Sequence, residues 1–198
     1  MAKRLFDLIG AAFALALLWP LLIGAALWIK LDSPGPVMFR QQRVGRHGRL
    51  FSIHKFRTMA VDAAERGPLI TVGNDARITR AGAWLRRNKL DELPQLIDVL
   101  AGHMSLVGPR PEVPAYVARY PQALREQVLS VRPGITDPVS LEFADEGALL
   151  APAADPEREY VEVLMPRKLR AAAAYAQRAT LWTDLGVIAR TLRLLARR

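Results

Sequence analysis

Residues 8–29 are 22 consecutive positions without a charge, and Pro20 stands near their middle. At about 1.5 Å per residue, a helix of that length matches the hydrocarbon thickness of a bilayer. A chain carrying such a run folds at a membrane. Proline inside a helix removes one backbone hydrogen bond, clashes with the preceding turn and disfavours helical geometry at the residue before it. Two half-helices with a bend at Trp19 and Pro20 are therefore expected. Lys3 and Arg4 precede the run, and Lys30, Arg40, Arg43, Arg46 and Arg49 follow it. Basic flanks stay on the cytoplasmic side, so both ends of the segment point to one face, as in a re-entrant helix. Against re-entry, a bend leaves backbone groups partly unpaired in lipid, and Trp19 prefers the interface to a deep apex. A kinked helix that spans the bilayer is the alternative. A cleaved signal peptide is disfavoured by the length of the run and by an Ala-x-Ala at residues 14–16 that lies inside it. The resulting division is a membrane segment, residues 1–31, and one cytoplasmic domain, residues 32–198.

The chain of 198 residues has 28 Lys and Arg against 19 Asp and Glu, a formal net charge of +9. Such a balance favours anionic lipid headgroups, phosphorylated substrates or nucleic acid. The absence of cysteine excludes disulfides and cysteine metal sites and suits a cytoplasmic face. The positive charge is blocked rather than spread. Residues 33–61 hold Arg40, Arg43, Arg46, Arg49, Lys55 and Arg57 with no acid, and residues 76–90 hold Arg77, Arg80, Arg86, Arg87 and Lys89, again with no acid. Asp91 and Glu92 follow at once. A basic block most simply makes a solvated or membrane-facing surface, but an acidic pair set against such blocks suggests an anion site.

Residues 32–36, Asp-Ser-Pro-Gly-Pro, form a turn that closes the membrane segment. Strands are expected at residues 37–41 and 50–59, joined through Gly45 and Gly48 into a β-hairpin. A short helical piece is expected at residues 62–66, a turn at 73–75, an Arg-rich helix at 82–90 and a second short helix at 94–100 with Pro94 in its first turn. Residues 108–111, Gly-Pro-Arg-Pro, read as a rigid turn, 113–131 as a helix, 132–136 as a turn and 144–156 as a loop. Leu181, Leu185, Ile188, Leu192 and Leu195 recur at helical spacing beside Trp182, with Arg190, Arg193 and Arg197 opposite. Such a helix either lies on the membrane surface or packs its stripe on the core.

Asp91 and Glu92 stand just before an expected helix start, where free N–H groups favour negative charge. Capping is the plainest use of such a pair. The chemical use is a carboxylate that stays ionised, as a nucleophile must. Two adjacent acids also suit Mg²⁺, which takes one or two carboxylates and completes its shell with phosphate oxygens. Nearby arginines can offset charge on a transferring phosphoryl group.

Several stretches carry a resemblance. They are the apolar run with Pro20; Gly35-Pro36-Val37-Met38-Phe39-Arg40-Gln41-Gln42-Arg43-Val44-Gly45; Lys55-Phe56-Arg57-Thr58-Met59; residues 90–96 around Asp91-Glu92; Gly102-His103-Met104-Ser105-Leu106-Val107-Gly108-Pro109-Arg110-Pro111; and Val131-Arg132-Pro133-Gly134-Ile135-Thr136. In this order and spacing they resemble the bacterial sugar transferases, the small monotopic phosphoglycosyl transferases, over about residues 3 to 136. The last third resembles the family only in type. The resemblance implies a helix-rich α+β fold with an N-terminal re-entrant membrane helix, a small β-hairpin and amphipathic interfacial helices. It implies transfer of a sugar-1-phosphate from a UDP-sugar to undecaprenyl phosphate, release of UMP, and a covalent aspartyl-phosphosugar intermediate, as the first membrane step of surface glycan assembly. Asp91 then maps to the nucleophile, and Glu92 to its metal-binding or positioning partner, with Mg²⁺ as the cofactor. Lys55, Arg57, Arg86, Arg110 and Arg132 are the candidate substrate-binding cations. Arg110, fixed between two prolines, suits a phosphate because its planar fork can bind two oxygens. The expected place is the cytoplasmic face of the bacterial inner membrane, and a homodimer is an arrangement open to the chain.

The sequence also departs from the family. Many members follow the Pro-Gly-Ile-Thr segment with Gly-Leu and a later Asn-Gly-Arg, whereas residues 137–143 here are Asp-Pro-Val-Ser-Leu-Glu-Phe. Trp19 replaces the small polar residue that some members place before the proline. Two other function classes remain on the sequence. A basic membrane-tethered binding protein keeps the arginines but gives Asp91 and Glu92 no role. Nucleic-acid binding fits the charge, but no helix-turn-helix, zinc or aromatic-stacking signature accompanies it, so no nucleic-acid partner is expected.

Overall fold

The computed structural model of the chain describes residues 1–63, 75–139 and 146–196. Helix α1, Ala2–Asp32, is the one helix among them long and apolar enough to cross a membrane. It contains Pro20 and stays helical on both sides of it. The loss of helical geometry expected at Trp19 is not observed, because proline forfeits one hydrogen bond of a long ladder whose two halves are each held by packing. Ala11 packs with Phe51, Ile53, Leu96, Val99 and Met104. Ala25 and Ile29 pack with Phe56, Ala81 and Leu85. The packed side of α1 is thus mostly small, whereas Leu5, Ile9, Phe13, Leu17, Trp19 and Leu27 are exposed. A helix in water shows the reverse arrangement.

Both ends of α1 are tied to the same body. Near the start, Arg4 Nη1 donates to Val99 O at 2.8 Å, and Asp7 Oδ1 accepts from Ser105 Oγ at 3.0 Å and Leu106 N at 3.1 Å. Lys3 pairs with the buried Asp184. At the other end, Asp32 Oδ2 accepts from Ala81 N at 2.9 Å.

The expected hairpin forms, with longer first and shorter second strands. Strand β1, Met38–Val44, runs antiparallel to β2, Leu50–Phe56, in a register from Met38 opposite Phe56 to Val44 opposite Leu50. Helix α2, Arg80–Arg87, is capped by Thr79, whose Oγ1 accepts from Gly82 N at 3.0 Å. A Cβ on Gly82 would lie 2.1 Å from Thr58 O, so only glycine lets α2 approach the strand exit this closely. A single turn, Leu93–Gln95, leads into α3, Leu96–Leu100.

Past α3 the structure departs from several expectations. Residues 134–136 are not a turn but strand β4, Gly134–Thr136, which pairs in parallel with β3, Ser105–Val107. The expected helix 113–131 is two helices, α4, Pro114–Val117, and α5, Gln122–Val128. Pro121 separates them by lacking an N–H and by disfavouring helical geometry at Tyr120. Within the expected loop 144–156, Glu146–Leu150 is helix α6. Helix α7, Pro156–Glu159, continues through a π-helical turn, Tyr160–Leu164, into α8, Met165–Arg178. These C-terminal elements pack with α4 and α5 in a core of Val113, Tyr116, Val128, Leu164 and Leu169. Helix α9, Leu181–Ala196, faces the domain with Asp184 and Val187, while Trp182, Leu185, Leu192 and Leu195 are exposed. The predicted apolar stripe is therefore not the face that packs. The piece expected at 62–66 lies in a turn as far as residue 63. Residues 64–66, 73–74, 140–145 and Arg197 lie outside the described residues.

Candidate active site

The site starts at the end of β2. Phe56 N donates to Asp91 O at 2.9 Å, a backbone bond that fastens the acidic pair beside Lys55. Lys55 Nζ lies 2.9 Å from Asp91 Oδ2 and 3.0 Å from Glu92 Oε1. Asp91 is 3 % exposed. Arg110 grips Glu92 with both prongs, Nη1 donating to Oε2 at 3.1 Å and Nη2 to Oε1. Its position comes from the two parallel strands. Gly108 and Gly134 meet so closely that a Cβ on Gly134 would lie 2.0 Å from Gly108 N, which fixes the Pro109-Arg110-Pro111 turn against β4. Arg86 arrives from α2 and donates from Nε to Thr58 Oγ1 at 2.9 Å.

Capping does not account for the acidic pair. Glu92 is the N-cap of the following turn but makes no side-chain capping bond. Its oxygens are turned to Lys55 and Arg110 instead. Burial alone would raise the Glu92 carboxyl, but Arg110 and then Lys55 outweigh it and hold the group well below the usual carboxylate range. Glu92 in turn raises Arg110, against the opposing effect of burial. Burial lowers Arg86, opposed chiefly by the charge of Asp91.

Five of the sequence-predicted residues thus come together: Asp91, Glu92, Lys55, Arg86 and Arg110. Two do not. Arg57 is buried, and its guanidinium donates to Pro34 O, to Ser33 O at 2.8 Å and to Ser33 Oγ at 3.0 Å. It closes the turn after α1 rather than facing Asp91, because five donors in a fixed fork suit a ring of carbonyls. Arg132 donates from Nε to Gly102 O at 2.9 Å, and its charged neighbours are Arg4, Arg46 and Asp7 rather than the acidic pair. Trp19 and Pro20 lie on the exposed part of α1, away from this site.

The sequence reading missed three contributors. Thr58 orients Arg86. Asp98, fully buried, accepts from His54 N at 2.9 Å and pairs with His54 Nδ1 at 2.7 Å, fastening α3 to β2 next to Lys55. A carboxylate among Leu96 and Val99 on the packed face of a short helix was the available signal. Glu112 accepts from Tyr160 OH at 2.8 Å and lies 3.9 Å from Lys168 Nζ. With Asp137 and Val139 these residues line a cleft that shares Pro109 and Arg110 with the site. Tyr160 and Lys168 come from the C-terminal third, where no motif marked them.

A Mg²⁺ ion fits this donor set. The ammonium of Lys55 touching both carboxylates shows that the pair accommodates a cation. Among the described residues no group of three or more candidate ligands exists.

Comparison with known proteins places this geometry in context. The profile of the family described as "Bacterial sugar transferase" matches residues 1–198. A UDP-glucose:undecaprenyl-phosphate glucose-1-phosphate transferase of Caulobacter vibrioides is 43% identical, over 97% of this chain and 68% of its own. A protein of the same description from Xanthomonas campestris pv. campestris is 40% identical over 96% of this chain and 38% of its own. A UDP-N-acetylgalactosamine-undecaprenyl-phosphate N-acetylgalactosaminephosphotransferase of Aeromonas hydrophila is 36% identical over 98% of this chain and 43% of its own. The chain thus spans less than half the length of two of these three relatives.

Proposed function

The chain belongs to the bacterial sugar transferase family, and from that premise we propose that it transfers a sugar-1-phosphate from a UDP-sugar to undecaprenyl phosphate with release of UMP. The observation that carries the reading is the buried Asp91 held 2.9 Å from Lys55, beside a Glu92 that Arg110 grips from both sides. Asp91 attacks the phosphorus that bears the sugar. The bond from that phosphorus to the UMP oxygen breaks, and UMP leaves with the electron pair. An oxygen of undecaprenyl phosphate then attacks the same phosphorus, and the Asp91 carboxylate departs. Splitting the transfer in two means that donor and acceptor need not be bound together. Lys55, Arg86 and Arg110 neutralise the diphosphate, which is most of what phosphoryl transfer asks of a protein. Asp91 and Glu92 are the residues that would hold a Mg²⁺ ion, which would add charge neutralisation to that of the three cations.

The proposed acceptor is a lipid, and the course of α1 bears on how it is met. Helix α1 is about 45 Å long at the usual rise, with both ends bound to one body. That supports a monotopic arrangement in which both ends stay on the cytoplasmic face of the inner membrane while the exposed apolar side enters lipid. The exposed Trp182, Leu185 and Leu192 of α9 support an interfacial position for that helix. The product would feed surface glycan assembly.

The test is covalent trapping. Protein mixed with UDP-sugar labelled in the sugar and Mg²⁺, without lipid acceptor, should release UMP and retain a phosphosugar on Asp91, located by mass spectrometry of a quenched digest. Asp91→Asn is nearly isosteric and should fold, yet lose the adduct and about a thousandfold or more of turnover. An adduct elsewhere, or normal turnover of the variant, overturns the mechanism.

A further inference from the structure

Three arginines gather at the start of α1 with almost no acid among them. Arg4 donates to Val99 O at 2.8 Å and to Leu100 O at 3.3 Å. Arg132 donates from Nε to Gly102 O at 2.9 Å. A Cβ on Gly102 would lie 3.5 Å from Arg4 Nη2, so both guanidinium groups approach one glycine. Arg46, in the hairpin turn, donates from Nε to Ser130 O at 2.8 Å, two positions before Arg132. None of the three pairs with a carboxylate among the described residues. The nearest acid, Asp7, already accepts from Ser105 and Leu106. Burial, and then the charges of Arg4 and Arg46, hold the Arg132 guanidinium below its ordinary value. Each guanidinium spends one or two of its five donors on carbonyls, and like charges held this close favour an anion between them.

The surroundings say which anion. Met1, Leu5 and Ile9, on the same first turns as Arg4, are exposed apolar side chains. An anion that carries hydrocarbon would cover those side chains while its charge met the arginines. We propose that Arg4, Arg46 and Arg132 form a binding site for the phosphate of an anionic phospholipid headgroup at the bilayer surface where α1 enters. The site rests on the reading that α1 lies in lipid, but it is separate from the catalytic pair, whose field falls on Arg86 and Arg110. A lipid bound here would hold the start of α1 at headgroup depth.

The full chain in a neutral detergent, exposed in turn to phosphatidylglycerol, phosphatidylcholine, undecaprenyl phosphate and inorganic phosphate, tests this by native mass spectrometry. Retention of phosphatidylglycerol should exceed that of phosphatidylcholine. Arg46→Gln, on the exposed hairpin turn, should lower that preference about fivefold, the effect of one cation at an anionic surface, and Arg132→Gln by about as much. UMP release by Arg46→Gln in detergent should match the unaltered protein. Equal phosphatidylglycerol preference in both variants overturns the site. So does retention of inorganic phosphate as strong as that of the lipid, or an arginine-dependent preference for undecaprenyl phosphate alone, which would make the cluster an acceptor cradle. A chain that stays soluble without detergent and retains neither lipid overturns the membrane reading itself. Retention of both lipids without preference overturns the arginine site alone.

Discussion

Around Asp91, three cations face two carboxylates: Lys55 touches both, Arg110 grips Glu92 twice, and Arg86 lies within the field of Asp91. Around Gly102, Arg4 and Arg132 approach one glycine, Arg46 acts on Arg132 from the hairpin turn, and the acid among these charges, Asp7, has its Oδ1 already engaged by Ser105 and Leu106. The side chains are alike and the balances are opposite. In the first cluster Lys55 and Arg110 hold the two carboxylates in fixed geometry, and Thr58 holds Arg86 beside them. In the second, backbone carbonyls orient the guanidinium groups without neutralising them, and the charge stays available to an external anion. The net charge of +9 is therefore not a uniform coat. It includes one site where cations meet carboxylates and another where arginines meet backbone carbonyls.

Breaking the balanced cluster should do the most. Lys55→Gln removes a side chain that touches both carboxylates and leaves Asp91 buried without it, which should cost about 3 kcal/mol of stability in urea titrations. UMP release should fall by about a hundredfold or more, because the carboxylate loses its aim together with a phosphate-neutralising charge. A Lys55→Gln enzyme of unchanged stability and rate would make the two clusters energetically alike. Arg110→Lys is the next test. It keeps the charge and loses the two-pronged grip on Glu92, so turnover should fall about tenfold while the unfolding midpoint falls only slightly. The smallest effect is a shift in pH dependence. Glu92 is held below its usual range in the folded protein. The stability it contributes is therefore complete above the unfolded value of about 4.3 and lost as pH falls through the folded one. Glu92→Gln should erase that component, so that the difference between the two proteins' unfolding midpoints shrinks steadily below about pH 4.

Local signals made the membrane helix, the hairpin, α2 and the acidic pair legible. The apolar run, the turn residues and the basic blocks all lie within a few positions of the elements they specify. Arg57 shows where such reading stops. It lies two positions after Lys55 in the same motif, yet it turns back to the carbonyls of Ser33 and Pro34 while Lys55 turns to Asp91. Arg132 looked like a phosphate ligand of the same site and stands instead beside Arg4 and Arg46. Strands β3 and β4 were missed because three-residue strands carry no period, and their parallel pairing joins residues 105–107 to 134–136 across intervening helices. Tyr160 and Lys168 reach Glu112 only because α7 and α8 fold back on α4 and α5.

The sequence by itself determined that this chain has one helix long and apolar enough to cross a membrane, that its charge is gathered in blocks, and that an Asp-Glu pair follows the second block. Those are properties of neighbours along the chain, set by helix length, hydropathy and turn chemistry. Only the tertiary structure decided which cations meet that pair and which meet one another. That choice rests on a backbone bond from Phe56 to Asp91, on the contact of Gly108 with Gly134, and on the docking of both ends of α1. Electrostatic partnership depends on distance in space, screened beyond about 10 Å at moderate ionic strength, and each of these contacts closes a gap of about twenty-five residues or more along the chain.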